Sequence, residues 1–136
     1  MSCVILVTGD RNSTIENEAQ KIIVWTLLHG FREQQPTVVH GAARGVDSIA
    51  DEHAKALGYD VHPHPANWDE FHKAAGPIRN QEMLDEEHPD IVLAFHDDLT
   101  HSKGTKDMVN KAVKAQVPTI IHINSDGKRR IIKAKI

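Results

Sequence analysis

The sequence predicts an α/β fold of three layers, in which a mainly parallel sheet of five strands carries helices on both faces. Two runs of consecutive apolar residues, Cys3 to Val7 and Ile91 to Phe95, are too short for helices and are typical of strands buried on both sides. Predicted strands and helices alternate five times, without an internal repeat. This alternation favours a parallel sheet, whose ligands bind beyond the carboxyl ends of the strands.

The first predicted strand and helix lie before Gly30. The strand from Cys3 to Val7 leads into a turn from Thr8 to Arg11, and the segment Ser13 to Glu16 has the spacing of a helix capping box. Gly30 is a natural end for this helix. The residues that recur at helical spacing are Ile15, Ala19, Ile22, Ile23, Thr26 and Leu27.

The second predicted strand runs from Thr37 to His40, and the helix after it is closed by Gly58. A third strand, Tyr59 to His64, alternates in polarity, and two prolines limit its pairing, so we expect it near an edge of the sheet. The second helix places one set of apolar residues on a single face, namely Val46, Ile49, Ala50, Ala54 and Leu57.

An irregular segment, Pro65 to Gly76, separates the two halves of the chain. Pro77 suits the first position of a helix, which we expect to run to about Glu87. The fourth strand, Ile91 to Phe95, follows Pro89.

The last part of the chain begins with a polar loop from His96 to Lys103. Gly104 opens the next predicted helix, and Pro118 to Ile123 is the fifth strand. Arg130 to Ile136 predicts a final edge strand, for which an antiparallel orientation is open. The residues of the last helix that we expect to face inward are Met108, Val109, Ala112 and Val113.

Length and composition bound the kind of protein. The 136 residues predict one soluble domain, 1–136, with 40% apolar and 26% charged residues. A net charge of −3 gives no support for broad electrostatic binding of nucleic acid. The lone cysteine, Cys3, is expected to be a buried thiol. No apolar run approaches the ~20 residues of a membrane helix and no leader is recognisable, so we expect a cytoplasmic protein without a membrane partner.

The loop from Gly41 to Asp47 is the clearest candidate for a binding element. Gly41 and Gly45 permit positive φ and a close approach of the backbone to a ligand. The helix that follows directs its first N–H groups and the positive end of its dipole at whatever lies over the loop. This arrangement favours an anion, above all a phosphate, although glycines at such a turn also serve simply to bend the chain.

Two further turns join this loop at the predicted binding edge. Gly9, Asp10 and Arg11 follow the first strand, and Ser102 to Thr105 precede the last helix, where amides, a hydroxyl and a lysine suit phosphate oxygens. The Pro77 helix adds Arg79 and Asn80 in its first turn, and these side chains suit phosphate and ribose or base. Together the three turns predict a nucleotide-like ligand.

Five of the ten histidines fall near the carboxyl ends of predicted strands. His62 and His64 alternate as a metal-binding pair does, but a metal site needs three or four converging ligands. We therefore predict no metal and no cofactor, and a wet rim lined by these side chains. His40 and His96 remain candidates for a ligand contact or a general base.

The motifs Gly41-Ala-Ala-Arg-Gly-Val-Asp47, Arg79-Asn-Gln-Glu-Met83 and Gly104-Thr105 resemble, in this order, those of the SLOG superfamily of Rossmann-like nucleotide-binding domains. The resemblance extends from Val7 to about Ile121 and is greatest to the small YspA-like branch, which is common in bacteria and their phages. It implies a Rossmann-like domain that binds a nucleotide or a nucleotide derivative and that often forms a homodimer.

The LOG phosphoribohydrolases, which are similar to this chain, would imply hydrolysis of the N-glycosidic bond of a nucleoside monophosphate. Arg79 and Met83 match their pattern, whereas Asn80 replaces a lysine. Their glutamate position falls on Met108, and the nearby carboxylate, Asp107, is one residue early, a shift of ~100° around a helix. An enzyme of this type would use Asp107 or Asp10 as its acid.

The DNA-processing protein DprA resembles this chain in the loop from Gly41 to Asp47 and in Pro77 to Asn80, which would imply single-stranded DNA as a ligand. Such binding needs a basic groove with aromatic platforms. The chain is acidic overall, and only Trp68, Phe71 and Trp25 are candidate platforms, so nucleic acid is the weaker prediction.

We therefore predict a protein that binds a nucleotide-derived small molecule as a sensor or a sequestering protein. Hydrolysis and DNA binding are the alternatives, and dimer formation is left open. The residues predicted to contact the ligand are Gly9, Asp10, Arg11, His40, Gly41, Ala42, Arg44, Gly45, Asp47, Arg79, Asn80, Met83, His96, Ser102, Lys103, Gly104 and Thr105.

Overall fold

The described residues form a six-stranded sheet in the order β3-β2-β1-β4-β5-β6. The computed structural model describes residues 3–9, 18–96, 103–122 and 129–132. The first five strands are parallel, which confirms the predicted parallel sheet. The predicted edge strand, β6, runs antiparallel to β5, an orientation that the sequence left open. The strands are β1 (Val4–Gly9), β2 (Thr37–His40), β3 (Asp60–Pro63), β4 (Ile91–Phe95), β5 (Thr119–His122) and β6 (Arg129–Ile132).

Helices cover both faces of the sheet, as the sequence predicted. Alternate residues of β1 divide between the two faces: Ile5 packs in one core cluster with Val24 and Ile49, and Leu6 in the other with Met83. Two short 3₁₀ turns lie at Arg32–Gln34 and His72–Ala74. The helices are α1 (Glu18–His29), α2 (Val46–Ala56), α3 (Trp68–Phe71), α4 (Ala75–Glu87) and α5 (Lys103–Lys114).

The buried face of α1 agrees with the predicted one only in part. Of the predicted residues, Ile23 and Leu27 pack against the core, where they join the fully buried Val24 and Leu28. Ile22, by contrast, is 62% exposed, and the exposed Thr26 bonds back to the Ile22 carbonyl at 2.7 Å. Residues two apart on a helix are separated by about 200°, so positions 22 and 26 lie on the side opposite to 24 and 28. The prediction was wrong for these two positions because apolar residues occur on both sides of this helix.

Two smaller predictions also change. The Pro77 helix begins two residues early, at Ala75, because a missing N–H costs little anywhere among the first four positions, which have no intrahelical acceptor. Cys3 lies just before β1 and is only partly buried. Its partial burial and the carboxylate of Asp90 both raise the pKa of the thiol.

The strand order reverses between β1 and β4, the usual location of a ligand crevice in such sheets. The segments that follow these strands, 10–17 and 97–102, lie outside the described residues, as do the predicted capping box and the turn at 124–127. The described part of the carboxyl edge is therefore mainly that of β2 and β3, where α2 and α4 begin.

Candidate functional site

The loop between β2 and α2 is held by its own neighbours. The carboxylate of Asp47 accepts hydrogen bonds from the amides of Gly41 and Ala43, at 3.1 and 3.3 Å, through the same oxygen, Oδ2. The amide of Ala42, a residue in the left-handed region with φ 56°, donates to His40 Nδ1 at 3.0 Å. The amides of Gly41 and Ala42, two predicted ligand contacts, and that of Ala43 therefore have internal acceptors. The cationic side chains around the loop become the candidates for binding an anion.

His40 is engaged through both ring nitrogens. Because Nδ1 accepts the Ala42 amide, Nε2 carries the proton and donates to Asp51 Oδ1 at 2.8 Å. Asp51 also pairs with Lys55 at 2.7 Å. His40 is 4% exposed, and its ring positions the loop. The predicted role as a general base needs an unengaged ring nitrogen, whereas both nitrogens already have partners.

Asp47 is the most unusual titratable group of the described residues. It is 6% exposed, and burial raises its pKa although His40, Arg79 and the two loop amides act in the opposite direction. Its second oxygen, Oδ1, is buried and has no hydrogen-bond partner among the residues that the structure describes. A carboxylate in this position destabilises the fold when it is charged.

This burial predicts a pH dependence of stability. A carboxyl group whose pKa is raised on folding contributes stability that is fully present below its unfolded pKa and is lost as the pH rises through the folded pKa. We expect the unfolding free energy of Asp47→Asn, relative to the original protein, to increase with pH over this window. Urea denaturation at a series of pH values measures this difference, and a constant difference would contradict it.

Arg79 lies across the beginning of the loop. From the first turns of α4, its Nη1 donates to the carbonyl of Gly41 and, at 3.4 Å, to that of His64. Its Nε donates to Asn80 Oδ1 at 2.9 Å. A Cβ on residue 41 would lie 2.6 Å from the Arg79 Cζ, so glycine is required for the guanidinium to rest here.

Asn80 connects this arginine to α5. Its Nδ2 donates to Asp107 Oδ2 at 3.0 Å and to the carbonyl of Gly104 at 3.3 Å. Asp107 also accepts from Lys111 Nζ at 2.6 and 2.7 Å. The structure therefore brings Arg79, Asn80, Gly104 and Asp107 into one network, and Asp107 faces it in spite of the one-residue shift.

A cavity of about 310 Å³ opens beside Arg79. Trp68, which is 45% exposed, is its aromatic wall, and the exposed Arg44 adds a second cation. Trp68 was not among the residues predicted to contact the small-molecule ligand. Its position, as an aromatic residue in an irregular polar segment, could have indicated a role in binding. The lining residues are Gly41, Ala42, Ala43, Arg44, Pro65, Ala66, Trp68 and Arg79.

Several predicted contacts have packing roles instead. Met83 is 1% exposed and lies in the core with Leu6 and Val39, which corrects its assignment as a ligand contact. A Cβ on Gly9 would lie 2.6 Å from the Phe95 carbonyl oxygen, so this glycine allows β1, β4 and α2 to approach closely.

The remaining predicted contacts lie apart from the cavity or outside the described ranges. The His96 amide donates to the carbonyl of His122 at 3.1 Å, which continues the pairing of β4 with β5. Lys103 and Gly104 begin α5 and are exposed, whereas Thr105 is buried. Gly45, at φ 78°, precedes α2. Asp10, Arg11 and Ser102 lie outside the described residues.

The histidine pair at the end of β3, with His62 on the strand and His64 just after it, bonds to a carboxylate. His62 Nδ1 and His64 Nε2 contact Glu87 Oε2 at 2.8 and 3.2 Å. Within the described ranges, no three His, Cys, Asp or Glu side chains are arranged to hold a metal ion. None of the helices described combines the length and apolarity needed to cross a membrane.

The parallel strand order, the helices on both faces and the glycine loop at the carboxyl edge define a Rossmann-like α/β domain. The model of the YspA, cpYpsA-related SLOG family matches residues 3–71. The chain belongs to this family, and the resemblance inferred from its motifs is confirmed.

A curated relative and two solved structures extend this result. The Gene 61 protein of Mycobacterium phage D29 is 37% identical over 124 residues, which cover 85% of this chain and 93% of the phage protein. DNA processing protein A of Helicobacter pylori, described as binding single-stranded DNA, superposes with a TM-score of 0.64 at 17% identity, over 98% of this chain and 68% of its own. The molybdenum cofactor binding protein of Rippkaea orientalis superposes with a TM-score of 0.62 at 16% identity, over 89% of this chain and 76% of its own. At these identities the structures share the fold.

Proposed function

We propose that this protein binds a nucleotide or a nucleotide-derived small molecule in the cavity beside Arg79, as a sensor or a sequestering protein. The observation that carries the proposal is the guanidinium of Arg79, held against Gly41 on the wall of a cavity that Trp68 also lines. A guanidinium pairs with phosphate through planar, forked hydrogen bonds. An indole ring offers a surface on which a base can stack.

The size and charge of the cavity support a ligand of about one nucleotide. Its volume of about 310 Å³ is at the lower end of the range typical of small-molecule sites. Arg44 and Arg79 are both on its wall, whereas the loop carboxylate of Asp47 is buried behind the amides. A solved relative described as a molybdenum cofactor binding protein is consistent with a small ligand on this fold.

Thermal unfolding against a panel of nucleotides, ribose phosphates and ADP-ribose tests the proposal. A ligand at 100 times its Kd stabilises a protein by about 2.7 kcal/mol, which shifts the Tm of a domain of this size by several degrees. We expect one ligand class to give this shift, Arg79→Ala to abolish it and Arg79→Lys to retain only part of it. Arg32→Ala, in an exposed 3₁₀ turn, is the matched control and is expected to keep the full shift.

Lack of a shift with every member of the panel would contradict the proposal. A shift with oligothymidylate instead would favour single-stranded DNA, for which the exposed Trp68 and Phe71 would be the stacking residues. Circular dichroism of each variant before heating separates loss of binding from loss of folding.

Hydrolysis of an N-glycosidic bond is the second candidate, and the contact between Asn80 and Asp107 favours it. Two observations stand against it. Asp107 is paired with Lys111, and Met108, at the position of the LOG glutamate, is fully buried in the core. Chromatography of the same samples for released base decides the matter, because release that disappears in Asp107→Asn would identify an enzyme.

A further inference from the structure

We propose that binding of an anion in this cavity is coupled to the uptake of one proton by the buried Asp47. The inference rests on the proposed function, because it needs an anionic ligand beside Arg79. It adds a regulatory property of the same site: the affinity for the anion decreases as the pH rises.

Asp47 lies behind the cavity wall and does not line the cavity itself. Its Oδ2 holds the amides of Gly41 and Ala43, two residues that line the cavity. The residue is 6% exposed, so solvent screens its charge only weakly. A change in charge at the cavity therefore acts on this carboxylate more strongly than it would in bulk water.

The positive charge of Arg79 acts on the Asp47 carboxylate and is also the charge that an anionic ligand would contact. Among the described residues, the side chains that favour the charged form of Asp47 are His40 and Arg79, and the amides of Gly41 and Ala43 act in the same direction. His40 is fixed between the Ala42 amide and Asp51, which is itself paired with Lys55. An anion that contacts Arg79 shares the guanidinium with Asp47 and places two negative charges beside it. Two anions in one buried site favour protonation of one of them.

The carboxyl group can take the proton without disturbing the loop. Oδ2 accepts both amides, whereas Oδ1 has no described hydrogen-bond partner. A proton from solvent on Oδ1 converts the carboxylate to a neutral acid and leaves both loop hydrogen bonds in place. No other bond forms or breaks in this step.

Calorimetric titration with AMP in buffers of different ionisation enthalpy counts the protons taken up on binding. We expect the original protein to take up as much as one proton more than Asp47→Asn at some pH between about 5 and about 9, and its affinity to fall up to tenfold per pH unit relative to the variant. The AMP phosphate and all side chains other than residue 47 are common to both proteins, so the difference reports on Asp47. Glu52→Gln, a carboxylate-to-amide change at an exposed position of α2, is the matched control and is expected to retain the extra proton.

Infrared difference spectroscopy gives an independent result on the unmodified protein. AMP has no carboxyl group, so binding is expected to remove one carboxylate band and add one band of a protonated carboxyl. Equal proton numbers in the original protein and Asp47→Asn, without a new carboxyl band, would overturn the inference while the proposed function stands. Absence of binding of AMP and of every other member of the thermal panel at every pH would remove both.

Discussion

Gly9→Ala is expected to destabilise the protein by about 3 kcal/mol, the largest stability effect of any glycine replacement considered. The new Cβ would lie 2.6 Å from the carbonyl oxygen of Phe95 and 2.7 Å from Cβ of Val46. Real Cβ atoms do not approach so closely, so something must move. The carbonyl belongs to the central strand β4, paired with β1 on one side and β5 on the other, and cannot rotate away as a flexible side chain can.

The loss should be measurable as a lower urea midpoint with an unchanged m-value, because the fold remains the same and only the packing between β1, β4 and α2 is strained. Gly104→Ala is the matched control. No described atom lies within 4 Å of its would-be Cβ, and alanine is the better helix former, so this variant is expected to be as stable as the original protein or up to about 1 kcal/mol more stable. Equal midpoints for the two variants would contradict the close approach at Gly9.

Gly41→Ala is expected to reduce the affinity for the nucleotide at least tenfold, about 1.4 kcal/mol, at a small cost in stability. Here the added Cβ would meet the guanidinium of Arg79, with Cζ at 2.6 Å. The end of a long side chain can move aside, so the fold tolerates the change. The displaced guanidinium, however, no longer lies on the cavity wall against the loop.

Calorimetric titration with the ligand found in the thermal panel measures this loss. Gly30→Ala, after the end of α1, adds the same methyl group far from the cavity and is expected to bind normally. An undiminished affinity in Gly41→Ala would show that the position of Arg79 over the loop does not matter for binding. Gly9→Ala and Gly41→Ala therefore test two different roles of glycine. Gly9 makes room for the backbone carbonyl of Phe95, which can hardly move, and Gly41 makes room for the side chain of Arg79, which can.

Much of the fold could be predicted because its signals are local. The bounds of β2 and β4, the end of α4 and the inward residues of α5 follow from apolar runs, prolines and helical spacing. The buried face of α1 could be predicted only in part, because both sides of this helix carry apolar residues and only packing against α2 and the sheet selects between them.

The candidate site was predictable in its residues more than in their roles. Arg79, Asn80 and the loop from Gly41 to Asp47 do come together, since parallel strands end at one edge. Which group satisfies the loop amides depends on one rotamer of Asp47, and no motif records that choice. Met83 shows the same limit, because its match to a family pattern does not reveal that its side chain points into the core.

The internal hydrogen bonds of the loop have a consequence for the cost of recognition. Asp47 and His40 occupy its amides before any ligand arrives, so the chain has already met the entropic cost of ordering these residues when it folded. Binding then requires no loop to be frozen, and more of the interaction with Arg79 and Trp68 remains as affinity. The loop is a preorganised surface, and its residues should have nearly the same backbone order in the empty and the occupied protein.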